Sequence, residues 1–291
     1  MVNCTFYLLA LAPGIAPRDF SSTLLQKAAP DLEILVIGIP HGWVHRPLQQ
    51  DAARLTSHDW DLFIVTRSSP MSLVASINDS IATCITADFT MPQHQYERLV
   101  LERSNKCAGK PSRIPVQLPA EWTDPDMNAL HIPREHIVEA YNGATKAGVL
   151  RLQPSMVEFL SSALPKNVRN RPVSLFNLFM YTDGDSAIHD KYMGDFEKGF
   201  GDSAGAYVRF MGPVLSQLRD SQDSTGQAEV ESESGSILKG RGWQDVDLVH
   251  YDTIYHYAYM LSTGLYQQLN EDKVRGLEDT CILLVSEDEL S

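Results

Sequence analysis

The chain has 291 residues, 43% of them apolar, and a formal net charge of −13. This is the composition of a folded globular protein with room for two ordinary domains, which excludes global disorder. The acidic balance excludes a nucleic-acid partner, since phosphate binding needs a broad Lys/Arg face, and clusters such as Lys166 to Arg171 read as solvated surface.

Thr5 to Ala12 reads as a first strand, ended by the Pro13-Gly14 breaker. Its apolar run lacks a basic flank, which argues for a strand over a signal peptide. Asp19 to Ala29 follows as a short helix with Phe20, Leu24 and Leu25 on one face and Pro30 as its stop. Leu32 to Ile39 is a second strand, and the proline-bounded stretch from Pro40 to Asp51 a loop. Trp60 to Thr66 is a third strand and Pro70 to Ile81 a helix, with a fourth strand expected after Cys84. Residues 1–90 form one domain on this reading.

Residues 91–170 read as a connector. Pro92, Pro111, Pro115, Pro119, Pro125 and Pro133 limit it to short pieces, with helices expected over Arg134 to Gly148 and Ser155 to Leu164. Residues 171–291 form the second domain. Val173 to Tyr181 is a strand, Thr182 to Asp185 a turn, Ile188 to Phe200 a helical insertion, and Ala204 to Leu218 a helix in spite of Pro213. Asp220 to Ser236 is polar and acidic, an edge strand in part or else mobile. Trp243 to Glu287 reads strand, helix, strand: Asp247 to Tyr251, then Tyr255 to Asn270 with Tyr255, Tyr259, Leu261, Leu265 and Leu269 apolar, then Cys281 to Val285. Such a unit fits half of a split βαβ domain. A tryptophan-led strand opens at Trp60 and again at Trp243, so element order suggests a duplication of a whole domain.

The four cysteines, Cys4, Cys84, Cys107 and Cys281, are scattered with no CxxC pair. Neither zinc-site spacing nor a secreted disulfide framework is present, and reduced thiols in a cytoplasmic protein are expected. No stretch approaches the ~18 to 20 apolar residues of a membrane span.

Asn177-Leu178-Phe179, Ala206-Tyr207-Val208-Arg209-Phe210, Trp243, Leu248-Val249-His250-Tyr251, Tyr266 and Arg275-Gly276-Leu277-Glu278-Asp279-Thr280 resemble the DUF1330 family of the dimeric α/β-barrel group. The resemblance spans about Val173 to Glu287. Asp252 stands where the family pattern has proline, and Asp272-Lys273-Val274 lacks the histidine before the arginine. The resemblance implies an α+β protein of two ferredoxin-like domains with antiparallel sheets. In a duplicated chain these would pair as an intramolecular pseudo-dimer around a barrel-like interior, with further homodimer formation left open. The resemblance also implies relatives that include cofactor-independent monooxygenases, dehydratases, cyclases and decarboxylases, and so an enzyme acting on a hydrophobic or aromatic small molecule is expected.

Alternation along β-structure from Leu175 to Tyr181 places Phe176, Leu178 and Met180 on one face and Asn177, Phe179 and Tyr181 on the other. The all-apolar face is expected under helices, which would aim Asn177 and Tyr181 into the interior as substrate-binding groups. His250-Tyr251-Asp252 is the densest titratable cluster, with His250 or Tyr251 as the acid/base; only one of the two can face the interior. Arg209 could bind a carboxylate or form a structural ion pair, and Trp243 could stack on a ligand or line the core. No cofactor is expected, since neither a Walker A nor a strand-following G-x-G-x-x-G occurs. No metal site is expected either, His41, His45 and His58 lacking a supporting motif. The alternatives are a non-catalytic module binding a small molecule or protein, a haem-binding protein, and a serine hydrolase built on Gly201-Asp202-Ser203-Ala204-Gly205. The last needs a strand before the serine.

Overall fold

The computed structural model describes residues 1–27, 32–67, 78–107, 114–124, 126, 128–139, 147–182, 186–200, 204–220 and 242–287. The strands are β1 (Val2–Leu11), β2 (Glu33–His45), β3 (Leu62–Arg67), β4 (Ile81–Met91), β5 (Thr123–Asp124), β6 (Ala129–Leu130), β7 (Val173–Tyr181), β8 (Ala206–Pro213), β9 (Arg219–Asp220), β10 (Asp245–Tyr251) and β11 (Leu277–Ser286). The helices are α1 (Pro17–Lys27), α2 (Ala52–Thr56), α3 (Gln93–Cys107), α4 (Pro154–Ala163), α5 (Ala187–Phe200), α6 (Ile254–Ser262) and α7 (Gly264–Gly276). The fold is mixed α+β, and its large sheet is antiparallel throughout, in the order β8-β10-β7-β11-β2-β3-β1-β4-β9. No described helix is long and apolar enough to cross a membrane.

Cut between β11 and β2, the sheet falls into two runs with the same internal order. Leaving aside the two-residue β9, which pairs with β4 at the far edge, each run places the second strand of its half first, then the third, the first and the fourth. The registers agree residue by residue. Tyr7 lies opposite Ile64 as Asn177 lies opposite Asp247, and Leu9 opposite Leu62 as Phe179 opposite Asp245. The repeated tryptophan signature has a local cause. Asp61 follows Trp60 and Gln244 follows Trp243. Each donates its backbone N–H to the neighbouring central strand, to the carbonyls of Leu9 and Phe179, at 2.8 Å. Each also accepts, through its side-chain oxygen, the N–H two residues on: Leu11 at 2.7 Å and Tyr181 at 2.6 Å.

Between the two half-sheets lies an apolar core of Phe6, Leu8, Phe63, Val65 and Phe89 from one half and Phe176, Leu178, Met180, Phe210, Leu248 and Leu283 from the other. Phe176 meets Phe6 and Phe63 at ring-centroid distances of 5.0 and 4.7 Å, and Phe89 stacks on Phe210 at 5.1 Å. The interior is therefore filled by side chains where an enclosed chamber was expected. A face with no polar atom is best satisfied there, since the sheet-to-sheet interface offers nothing for a polar group to bond. This reverses the expected facing of β7.

The half-sheets meet along β11 and β2 in a ladder from Ile282–His45 to Ser286–Ile39. At the other junction β4 and β8 touch through a Phe89–Val214 bridge, and Leu215 N–H donates to Asp88 O at 2.7 Å. Farther along, β9 pairs with β4 through Ile85–Asp220 and Thr86–Arg219, but β8 itself makes no ladder with β4 among the described residues, and the sheet is not a closed barrel. Helix α3 lies across one end of the core, where Leu99 is buried. Its Arg98 donates to the carbonyls of Val208 and Arg209, and its Arg103 to that of Ile34.

Several expected elements differ. Ala204 to Leu218 is not a helix: β8 occupies Ala206–Pro213 with Arg209 as the extra residue of a bulge opposite Leu248 and Val249. A proline after this alternating segment ends a strand at less cost than it would interrupt a helix. The stretch from Pro40 to His45 continues β2 and is no loop. Helix α3 arises in the supposed connector, while Arg134 to His136 is only a 3-10 turn. The long helix expected from Tyr255 is two, α6 and α7, with Thr263 capping the second through its side chain. The helix expected from Pro70 lies mostly outside the described residues, as do the turn at 183–185, most of 220–236 and Ser203. What can be seen around Gly201 to Gly205 is helix α5 before it and strand β8 after it. A nucleophile elbow needs the reverse, strand then helix, so the hydrolase reading falls.

Candidate functional site

The helix-covered face of the second half carries a concentration of buried polar groups. Strand β7 contributes Asn177, Phe179 and Tyr181, and β10 contributes Asp245, Asp247, Val249 and Tyr251, as alternation requires. Above them lie Tyr192, Met193 and Phe196 of α5, Tyr257 and Met260 of α6, and Tyr266 and Lys273 of α7. These helical groups line a small cavity together with Asn177, Phe179, Asp247, Val249 and Tyr251 of the two strands and with Leu150, Leu175 and Ile282; Tyr181 and Asp245 lie beside it. Its volume is about 30 Å³. That is space for one or two waters, well below the volume of a drug-sized ligand site.

Asn177 Nδ2 donates to Asp247 Oδ1 and to the carbonyl of Leu175. Tyr181 Oη donates to Asp245 Oδ2 at 2.7 Å. Lys273 is 5% exposed, and its Nζ sits 5.4 Å from the ring centroids of both Phe179 and Tyr192. The aromatic faces and the nearby carboxylate favour the ammonium, but burial works against it. Burial pushes the Asp247 carboxyl up and the Lys273 amine down, each partly opposed by attraction to the other. Asp245 is pushed up to about 6, again by burial. The Tyr181, Tyr192, Tyr251, Tyr257 and Tyr266 phenols are all raised by burial and stay protonated. Two groups here lack a hydrogen-bond partner among the described residues: the hydroxyl of Tyr257 and both ring nitrogens of His189. His189 packs 4.2 Å from Phe179, and burial lowers it to about 3.

Of the residues singled out from sequence, Asn177, Tyr181 and Tyr251 gather on this face. Asn177 and Tyr181 lie beneath helices, contrary to the expectation that they point between the sheets. Tyr251 Oη donates to Met260 Sδ at 3.4 Å. His250 takes the opposite face of β10, its ring 4.8 Å from that of Tyr207. Arg209 lies on a strand, not a helix, and its buried guanidinium is paired with Glu102 at 3.1 Å and with Glu287. It is a structural ion pair. Trp243 belongs to the core between the sheets, its indole N–H donating to Asp51 at 3.1 Å. His41 and His45 lie on β2, lowered by burial to about 4, and no group of three metal-ligating side chains occurs among the described residues.

Sequence reasoning missed Asp245, Asp247, His189, Tyr257 and Lys273. Two carboxylates at i and i+2 in the strand Asp245 to Tyr251, alternating with Val246 and Leu248, were a legible signal, because they must share a face. Lys273 follows Tyr266 by seven residues, which on a helix aligns it with that buried ring.

No family model matches the chain, and no curated protein does. The resemblance of residues 173–287 to DUF1330 therefore rests on its motif residues alone. Among solved structures, the chain is similar to the crystal structure of the RPA0582 protein of unknown function from Rhodopseudomonas palustris. The identity is 16% and the TM-score 0.31, over 48% of this chain and 95% of that one.

Proposed function

We propose that the chain is a cofactor-independent enzyme performing acid–base chemistry on a small hydrophobic or aromatic molecule. Its reaction site is the space between sheet and helices in the second half. The architecture proposed with it is a duplicated, DUF1330-like pair of ferredoxin-like units facing one another as a pseudo-dimer. Matching strand orders, matching registers and the twice-used tryptophan motif support that.

One observation carries the functional reading. The positions of the first half that correspond to Asn177, Phe179, Tyr181, Asp245 and Asp247 are Tyr7, Leu9, Leu11, Leu62 and Ile64, which belong to a nearly all-apolar cluster under α1. The fold is thus satisfied by apolar side chains at these places. Two carboxylates at their counterparts, with the buried Lys273 of α7 above them, are costly to solvation and are not demanded by architecture. Groups whose protonation is pushed toward neutrality suit proton transfer near pH 7. Asp247, held by Asn177, is the proposed acid/base, and the Tyr257 hydroxyl, which lines the cavity and has no partner among the described residues, the proposed hydrogen-bond donor to a substrate oxygen. Met193 and Met260, the flexible thioethers in the cavity wall, are the side chains that can yield to a substrate larger than water. His250 has no part in this site.

The test is a panel of phenolic and polyketide-like compounds, screened by thermal shift and then by turnover, with D247N as the control. A compound turned over by wild type and at least about a hundredfold slower by D247N supports the proposal. Undiminished turnover by D247N removes it. The small volume of the cavity favours one other reading, a non-catalytic binding module, which predicts thermal shifts without product.

A further inference from the structure

We propose that Lys273 is a nucleophile that forms an imine with a small aldehyde or ketone bound in the cavity of the second half. This deepens the preceding proposal by naming the substrate class, and it rests on the same site.

Three features of the geometry point to a carbonyl compound. Lys273 lines the cavity, and among the described residues its ammonium makes neither a hydrogen bond nor an ion pair, only the contacts with the Phe179 and Tyr192 rings. A lysine kept for structure would be expected to bond its three N–H groups, because unpaired buried donors are costly. The second feature is the Tyr257 hydroxyl. It lines the same cavity, is buried, and has no partner among the described residues, so it can donate to a ligand oxygen. The third is Asp247, whose carboxylate attracts the ammonium without touching it and can take up its proton. The charged or titratable groups sensed by the amine come from three other elements: Asp247 of β10, His189 of α5 and His45 of β2. Both histidines are lowered by burial, with Lys273 adding to the effect, so they stay neutral at pH 7.

The chemistry balances within these groups. A water in the cavity relays a proton from the Lys273 ammonium to Asp247, and the neutral amine adds to the carbonyl carbon. A proton passes from nitrogen to oxygen to give the carbinolamine. The C–O bond then breaks, and the departing hydroxide takes the proton back from Asp247 and leaves as water. The net change is ammonium plus carbonyl to iminium plus water, with no oxidant or reductant. Desolvation of an amine in an apolar pocket is an established way to activate a lysine for this step.

The experiment is reductive trapping on the intact protein. Acetaldehyde, small enough for the cavity, is added at pH 7 with limiting sodium cyanoborohydride, and the alkylated positions are mapped by peptide mass spectrometry. Alkylation of Lys273 at least about tenfold faster than that of the exposed Lys166, Lys191 and Lys198 supports the proposal, because a depressed amine is neutral in a larger fraction. That preference must vanish in urea, where every lysine has the same surroundings. Equal or slower labelling of Lys273 in the folded protein overturns the imine, and wild type alone is sufficient to decide it. Turnover of a panel compound that depends on Asp247 but leaves no trapped Lys273 removes the imine and keeps the acid–base site; absence of both removes the two proposals together.

Discussion

At the scale of single residues, the second half holds groups that work against folding. Asp247 and Lys273 are each driven toward neutrality by burial, so each subtracts from stability when charged. The signs are opposite in pH. Raised carboxyls favour the folded state below their ordinary 3.8, and that contribution is lost as pH rises through their folded values, about 6 for Asp245. The lowered amine favours folding above its ordinary 10.5, and that contribution is lost as pH falls through its depressed value. Near neutral pH both penalties are present. The double variant D247N/K273M keeps the volume and the Asn177 hydrogen bond while removing both charges. It should therefore be more stable than wild type by about 1–3 kcal/mol in urea unfolding at pH 7.5. A double variant less stable than wild type would make the cluster structural. His189 supplies an independent case, because both its ring nitrogens lack a described partner. Its depressed value means that its contribution is present above 6.5 and lost as pH falls toward about 3. H189F should gain about 1 kcal/mol at pH 7.5, and its advantage over wild type should widen by roughly 2 kcal/mol between pH 6.5 and 4.5. Thermal unfolding at the two pH values measures this.

At the scale of elements, two glycines mark the junctions between the half-sheets. Gly38 and Gly212 hold equivalent positions, opposite Phe63 of β3 and Val246 of β10. A Cβ on Gly38 would lie 2.8 Å from Ser286 O, and one on Gly212 only 1.8 Å from Thr90 O. β4 and β8 lack a full ladder to hold them, so G212A should push them apart at a cost of about 1–3 kcal/mol and speed hydrogen exchange at the Leu215 amide. Unchanged exchange there would mean that this junction is not a working contact. The same elements show what could be read from sequence. Strand β7 was legible to the residue, because Val173 to Tyr181 is a predominantly apolar run, broken only by Ser174 and Asn177, and bounded by a turn. Strand β8 was not, since the bulge at Arg209 interrupts its alternation just where the period would have declared itself. Nor could the facing of β7 be read, as both its faces are buried and only the partner half decides which one meets a sheet. Of the site, the paired aspartates could have been found. Lys273 was hidden by the general rule that lysines lie outside, which fails where aromatic rings flank the ammonium.

At the scale of the whole molecule, the question is whether either half is complete alone. The second half presents Phe176, Leu178, Met180, Phe210, Leu248 and Leu283 to the first, and without that cover they form an apolar face too large for a stable monomer. Its β11 edge would also lose the ladder to β2. The equivalence of the halves supplies a substitute. Gly38–Ser286 and Gly212–Thr90 are corresponding contacts, so β8 of a second copy can take the place of β2 against β11, with Gly212 standing where Gly38 stood. A closed two-fold pair needs this junction twice, and two copies of the second half provide it twice. The segment 114–291 carries the packing of Trp122, Leu150, Leu152 and Leu160 on the outer side of this half and so keeps its own helical cover. Expressed alone, that segment should sediment as a homodimer, and adding residues 1–107 should convert it to a one-to-one complex. A well-folded monomer would show that the apolar face between the sheets does not require a partner.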